Sequence, residues 1–250
     1  MDITALETFY KTPLGILTRR LIARKLQAHI RRLRGTVVLG LGYGAPYLDA
    51  LREQADRVLC FMLACQGATQ WPPSAPGATA LVDEAGLPLP DGSIDCVFVV
   101  HGLEFTGNPQ KTLHGVWRAL KPSGWAVVIV PNRYGLWRCD HTPFGRGLSF
   151  SPRQITQILR DAMLTPCALE HALFVPPFKP VFFRRHAAVC ERIGSWALPA
   201  FSGVMIVEAV KQIHATGKPA PMRGLIAGLK PRGAPTATIL GHGACRGKRI

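Results

Sequence analysis

Several things are scarce in this 250-residue chain. No uninterrupted apolar run approaches the roughly 18 residues that a membrane-crossing helix needs, so no span is expected. The first residues include Asp2 and Glu7 and lack the basic-then-apolar pattern of a secretory signal. Its seven cysteines form no CxxC pair, which removes the usual zinc and redox spacings, and an odd number cannot all pair internally. Reduced thiols in a cytoplasmic protein are expected, with no metal. There are no internal repeats.

Acid is missing from one end altogether. Residues 211–250 hold eight Lys/Arg and no Asp or Glu, and residues 1–35 hold eight against Asp2 and Glu7. The formal charge of +15 therefore belongs to the two ends, because the remainder carries 14 basic and 13 acidic residues. The stretch 215–250 has seven Gly and four Pro without sustained periodicity. Such a composition buries too little apolar surface to offset its ordering entropy, so 213–250 is expected to be a disordered basic tail. At the other end, Leu14, Leu17, Leu21, Ile22, Leu26, Ile30 and Leu33 recur at helical spacing between Arg and Lys residues. An amphipathic basic helix is expected there, within a segment 1–35 that packs on the main domain. Both basic ends could associate weakly with RNA or an anionic surface through charge alone.

What is present reads as strands alternating with helices over residues 36–212. Thr36 to Leu41 is an apolar strand followed by Gly42-Tyr43-Gly44 and a helix from about Pro46 to Gln54. Strands are expected at 56–63 and 79–82, separated by the Pro-rich loop that begins at Trp71. Ile94 to Val100 is an apolar, β-branched run of the length of a strand covered on both faces. Asn108-Pro109 opens a helix as N-cap and first helical residue, with Leu113, Val116, Trp117 and Leu120 on one face. Lys121-Pro122-Ser123-Gly124 is expected as a turn before a strand at 125–130. Ser151-Pro152-Arg153-Gln154 has the form of a capping box. A sixth strand at 167–175, a helix at 182–196 and a last strand at 203–210 complete the pattern. Strand–helix alternation of this kind implies a doubly wound, mostly parallel sheet in three α/β/α layers.

Three motifs in order carry a resemblance to a known family. These are Leu87-Pro88-Leu89-Pro90-Asp91-Gly92-Ser93-Ile94-Asp95, then His101-Gly102-Leu103-Glu104, then Arg118-Ala119-Leu120-Lys121-Pro122-Ser123-Gly124. The chain resembles the class I S-adenosylmethionine-dependent methyltransferases, and most closely their type 11 subgroup. The resemblance implies a seven-stranded sheet whose last two strands form an antiparallel hairpin, S-adenosyl-L-methionine as cofactor, and methyl transfer to a small-molecule acceptor. By position it implies a cofactor loop at Gly40, Gly42 and Gly44, and adenine contacts from Glu84, Ala85, Gly86 and Leu87. Met62 or Leu63 would stack on the nucleoside, His101 and Gly102 would line the methionine part, and Tyr10 would either close over the site or pack on the sheet edge. His101, Glu104 and His141 are the catalytic candidates, although methyl transfer needs alignment and exclusion of water more than a base.

Two departures from the family pattern stand out. Its acid two positions before the first loop glycine is Gly40 here, or Val38 if the glycine pair is read one step earlier. The acid that ends its second strand is absent from Cys60-Phe61-Met62-Leu63-Ala64. A non-catalytic binding protein of the same fold, or an RNA-associated methyltransferase, are the alternative readings.

Overall fold

In the computed structural model, residues 1–73, 77–84, 86–177, 180–197 and 199–212 are described. The expected disordered tail at 213–250, Cys245, Ala85 and part of the loop that follows Trp71 lie outside them. A single seven-stranded sheet organises the rest. Its strands are β1 (Val37–Gly42), β2 (Arg57–Leu63), β3 (Thr79–Val82), β4 (Ile94–Val100), β5 (Leu120–Pro131), β6 (Leu164–Ala172) and β7 (Val204–Lys211). Their order is β3-β2-β1-β4-β5-β7-β6. Neighbours from β3 to β5 are parallel, and β7 runs antiparallel to both β5 and β6. The parallel strands and the β4–β1 pairing match the sequence-based expectation.

Helices cover both faces. On one side lie α1 (Ile3–Lys11), α2 (Pro13–Ile30), α3 (Ala45–Arg52) and α6 (Pro180–Ala197), in a core shared with Val38, Cys96, Phe98, Val127 and Ile206. On the other lie α4 (Pro109–Ala119) and α5 (Pro152–Asp161), where Leu113, Val116, Ile155 and Leu159 meet Leu39, Leu41, Val97, Val99 and Val128. Residues that alternate along β1, β4 and β5 thus feed alternate layers, which is why the central parts of these strands are apolar on both faces. Helix starts follow their caps. Asn108 accepts from Lys111 N at 3.0 Å, and the Ser151–Gln154 capping box is formed in both directions.

Three expectations are corrected. The N-terminal segment is two helices rather than one, broken at Thr12-Pro13, where Thr12 Oγ1 caps α2 by accepting from Gly15 N at 3.0 Å. A Cβ on Gly15 would come within 2.0 Å of the Phe9 carbonyl, so glycine alone permits the tight crossing of α1 and α2. Lys121-Pro122-Ser123-Gly124 is not a free turn but an irregular stretch inside β5, with Ser123 at φ 63° and a register shift against β4. Asp95 accounts for this, since its carboxylate accepts from Lys121 Nζ at 2.8 and 2.9 Å and from Val37 N at 2.9 Å, tying β1, β4 and β5 together. Finally, β6 begins at Leu164 rather than at Cys167.

The C-terminal end of α2 and the residues just past it are tied to β7 by Glu208. Arg32 Nη1 donates to Glu208 Oε1 on β7 at 2.7 Å, and His29 Nδ1 lies 3.1 Å from Glu208 Oε2. These partners, His29 first, hold the Glu208 carboxyl at about 2, against an opposing push from burial. No described helix is long and apolar enough to cross a membrane.

Candidate active site at the carboxyl ends of β1 and β4

In an open α/β sheet, ligands bind beyond the carboxyl ends of the strands where the strand order reverses. Here that point lies between β1 and β4, because β1 continues outward to β2 and β4 to β5. The chain leaves β1 at Gly42, whose φ of +85° suits glycine. A Cβ there would stand 2.4 Å from the Val100 carbonyl oxygen and 2.9 Å from Gly102 N. Gly42 is thus required first by the close approach of two strand ends. Gly40 faces α3, where a Cβ would meet Leu48 at 2.7 Å, whereas at Gly44 the nearest atom would be an ordinary 3.4 Å away.

Directly above this loop runs a buried hydrogen-bonded chain. His101, held at φ 47°, places its Nδ1 2.9 Å from Glu104 Oε1 and its Nε2 2.7 Å from the Tyr10 hydroxyl. In a neutral imidazole whose Nδ1–H donates to the Glu104 carboxylate, Nε2 accepts from the Tyr10 hydroxyl. The Tyr10 hydroxyl lies 3.2 Å from that of Tyr47. Gln66, three residues past β2, donates through Nε2 to the His101 carbonyl at 2.8 Å. His101 and Glu104 are each 2% exposed and Gln66 is 3% exposed. Two acceptor atoms of this network, Gln66 Oε1 and Glu104 Oε2, are buried without any partner.

Aromatic rings enclose the chain. The Tyr10 ring packs against Phe9, Tyr43, Tyr47 and His101 with centroids 5.3–6.1 Å apart. Phe144 lies 5.1 Å from His101 and 5.6 Å from Trp137. Burial raises the phenols of Tyr10 and Tyr47, and pushes that of Tyr43 up to about 12, so all three stay protonated and can donate.

The structure thus brings Tyr10, Gly42, Gly102, His101 and Glu104 to one place. Met62 is fully buried at the end of β2, where its sulphur accepts from Thr69 N at 3.3 Å. Glu84 is held by Gly107 N at 2.9 Å, Gly86 is exposed, and Leu87 packs into the core beneath α4. Ala85 lies outside the described residues. His141 is separate. It is exposed, in a cleft of about 210 Å³ shared with Thr8, Thr12, Asp140 and Arg146, with Phe9 and Phe144 between that cleft and His101. Sequence reasoning missed Gln66, Tyr47 and Phe144, and only Tyr47, on the helix that follows the glycine loop, carried a positional hint.

Neither Gly40 nor Met62 supplies the carboxylate that S-adenosylmethionine usually meets in this fold. The site nevertheless fits that cofactor in kind. Two unpartnered buried acceptors, Gln66 Oε1 and Glu104 Oε2, suit in chemical kind a ligand bearing hydroxyls and an ammonium group. Among the described residues no His/Cys/Asp/Glu cluster could hold a metal ion, and the six described cysteines are free.

Comparison with known proteins agrees with this architecture. Residues 37–128 match the methyltransferase-domain family of type 11. A 52-residue stretch is 38% identical to the ubiquinone/menaquinone biosynthesis C-methyltransferase of Methylococcus capsulatus, spanning 21% of this chain and 21% of that protein. An S-adenosylmethionine-dependent methyltransferase of Archaeoglobus fulgidus superposes with a TM-score of 0.58 at 18% identity, over 84% of this chain and all of that one. The 1,6-didemethyltoxoflavin-N1-methyltransferase of Burkholderia thailandensis, solved with bound 1,6-didemethyltoxoflavin and S-adenosylhomocysteine, superposes with a TM-score of 0.51 at 18% identity over 81% of this chain and 79% of that one. Strand order and these superpositions show that this chain has the class I methyltransferase fold, and its residues 37–128 are similar to the methyltransferase-domain family of type 11.

Proposed function

We propose that the protein binds S-adenosylmethionine beyond the carboxyl ends of β1 and β4 and transfers its methyl group to a small-molecule acceptor. The observation that carries this reading is the meeting of the Gly42–Gly44 turn with the buried Tyr10–His101–Glu104 chain at the point where strand order reverses. Bound, the cofactor supplies a methyl group activated by a sulfonium leaving group. The protein's part is then mainly to align the acceptor and exclude water. Backbone at Gly44 and Gly102 offers close approach, and Met62 gives an apolar wall at the end of β2. Phe9, Phe144 and Trp137 keep the interior dry. Once Tyr10 releases it, His101 Nε2 can take a proton from the acceptor, because Glu104 holds the proton of the other ring nitrogen in place. Tyr10, bonded to His101, closes the site in the conformation described here.

A second reading has its own support. Gly40 and Met62 lack carboxylates and the Tyr10–His101 bond spans the site, as in a binding protein that keeps the fold without the reaction. Calorimetric titration with S-adenosylmethionine and S-adenosylhomocysteine separates the two. Micromolar affinity for both supports the transferase, and absence of heat with either at saturating concentrations overturns it.

A further inference from the structure

Buried polar groups in folded proteins nearly always have partners, and leaving an acceptor bare costs about 1–3 kcal/mol. Gln66 Oε1 and Glu104 Oε2 are both bare, yet the other end of each side chain is firmly placed. Gln66 Nε2 is fixed on the His101 carbonyl and Glu104 Oε1 on the His101 ring. Gln66 is further pinned through its own carbonyl, which accepts from Ile3 N at 2.9 Å. One residue thus holds two acceptors, one neutral and one carboxylate, at the ends of β2 and β4.

We infer that Gln66 and Glu104 replace the two missing acidic anchors, Gln66 Oε1 accepting from a ribose hydroxyl and Glu104 Oε2 from the α-ammonium group of the bound cofactor. The assignment rests on the cofactor reading above and adds the residues that make it chemically workable. Position decides between the two groups. Gln66 follows the strand at whose end the nucleoside sugar is expected, and a neutral amide oxygen suits a hydroxyl. Glu104 follows the strand that lines the methionine part, and its carboxylate suits a cation, with which a charge-assisted hydrogen bond is roughly twice as strong as a neutral one. Both atoms are acceptors, so the pair selects a ligand that presents donors and rejects an anion. Tyr10 has to swing off His101 for that ligand to enter.

The test is calorimetry on the full chain with S-adenosylhomocysteine, which has both groups, and adenosine, which has only the ribose. Glu104→Gln places an amide N–H where the ammonium would sit. It should weaken S-adenosylhomocysteine by about 10- to 100-fold and leave adenosine within about twofold. Gln66→Leu should weaken both ligands by a similar factor to one another. Circular dichroism and melting confirm the folded state. If Gln66→Leu does not fold, Glu104→Gln and Glu104→Asp test the ammonium assignment through the contrast between the two ligands, and the parent tests the ribose assignment through 2′,3′-dideoxyadenosine, which should bind at least about 5-fold more weakly than adenosine; equal affinity for the two nucleosides would overturn it. Unchanged affinities in folded variants would mean that the two atoms serve only buried water, and equal weakening of both ligands by Glu104→Gln would overturn the ammonium assignment. Failure of the parent protein to bind either ligand would overturn the cofactor reading itself, and this inference with it.

Discussion

The three glycines of the loop after β1 make different demands, and substitution by alanine separates them. At Gly42 the φ of +85° costs a residue with a Cβ about 1–2 kcal/mol. The new Cβ would also stand 2.4 Å from the Val100 carbonyl and 2.9 Å from Gly102 N. These are backbone atoms of a paired strand and cannot rotate away, so a further cost of about 1–3 kcal/mol is expected from overpacking. Gly42→Ala should therefore destabilise the protein by about 2–5 kcal/mol, roughly 4–20 °C in melting temperature for a chain of this size. Gly44 has no positive φ, and its nearest atom, on the Leu48 side chain, would lie 3.4 Å away. Gly44→Ala should cost less than about 1 kcal/mol, and any loss there should fall on cofactor affinity. Urea unfolding of parent and both variants, with fitted midpoints and slopes, reads the difference. A Gly42→Ala variant within about 0.5 kcal/mol of the parent would refute the reasoning, as would equal losses at the two positions.

Three further outcomes follow from the same geometry. Tyr10→Phe deletes the hydroxyl that reaches His101 Nε2 and leaves a buried nitrogen bare, so unfolding free energy should fall by about 1–3 kcal/mol in denaturant titration; a change below about 0.5 kcal/mol would contradict it. Glu208 has its folded value lowered from 4.5 to about 2, so its stabilisation is fully present above about pH 4.5 and is lost as pH falls towards about 2. With Arg32 half-exposed, this amounts to at most about 3 kcal/mol, and urea melts at pH 6 and pH 3 should show a smaller pH-dependent loss in Glu208→Gln than in the parent. Ser151→Ala removes the cap of α5 and should cost about 0.5–2 kcal/mol by the same measurement.

Much of the sheet was legible because its signals are local. Ile94–Val100 is apolar but for Asp95, and the run from Trp125 is apolar without interruption, as in strands covered on both faces, and Asn108-Pro109 and Ser151-Pro152 mark helix starts with side chains that act within three residues. The helix at Ile3–Lys11 was not legible. It is short, and what fixes it is distant: Leu6 is fully buried and Ile3 N meets the Gln66 carbonyl. The stretch Lys121–Gly124 has the composition of a turn, but its path is decided by Asp95, 26 positions away. His101, Glu104 and Tyr10 could be read from motif position. Gln66 could not, since its contact with His101 spans 35 positions and an isolated glutamine in a loop has no pattern. The glycine loop illustrates a shared cause, since close approach of β1 to β4 explains Gly42 without any ligand.

The proposed site places S-adenosylmethionine in the space above the Gly42–Gly44 turn once Tyr10 moves aside. A crystal structure grown with saturating S-adenosylhomocysteine tests it most directly. Ligand density is expected against Gly44 and Gly102, with the Tyr10 hydroxyl displaced from His101 Nε2. A structure in which the Tyr10–His101 bond persists, and the ligand is absent or seated elsewhere, would contradict it.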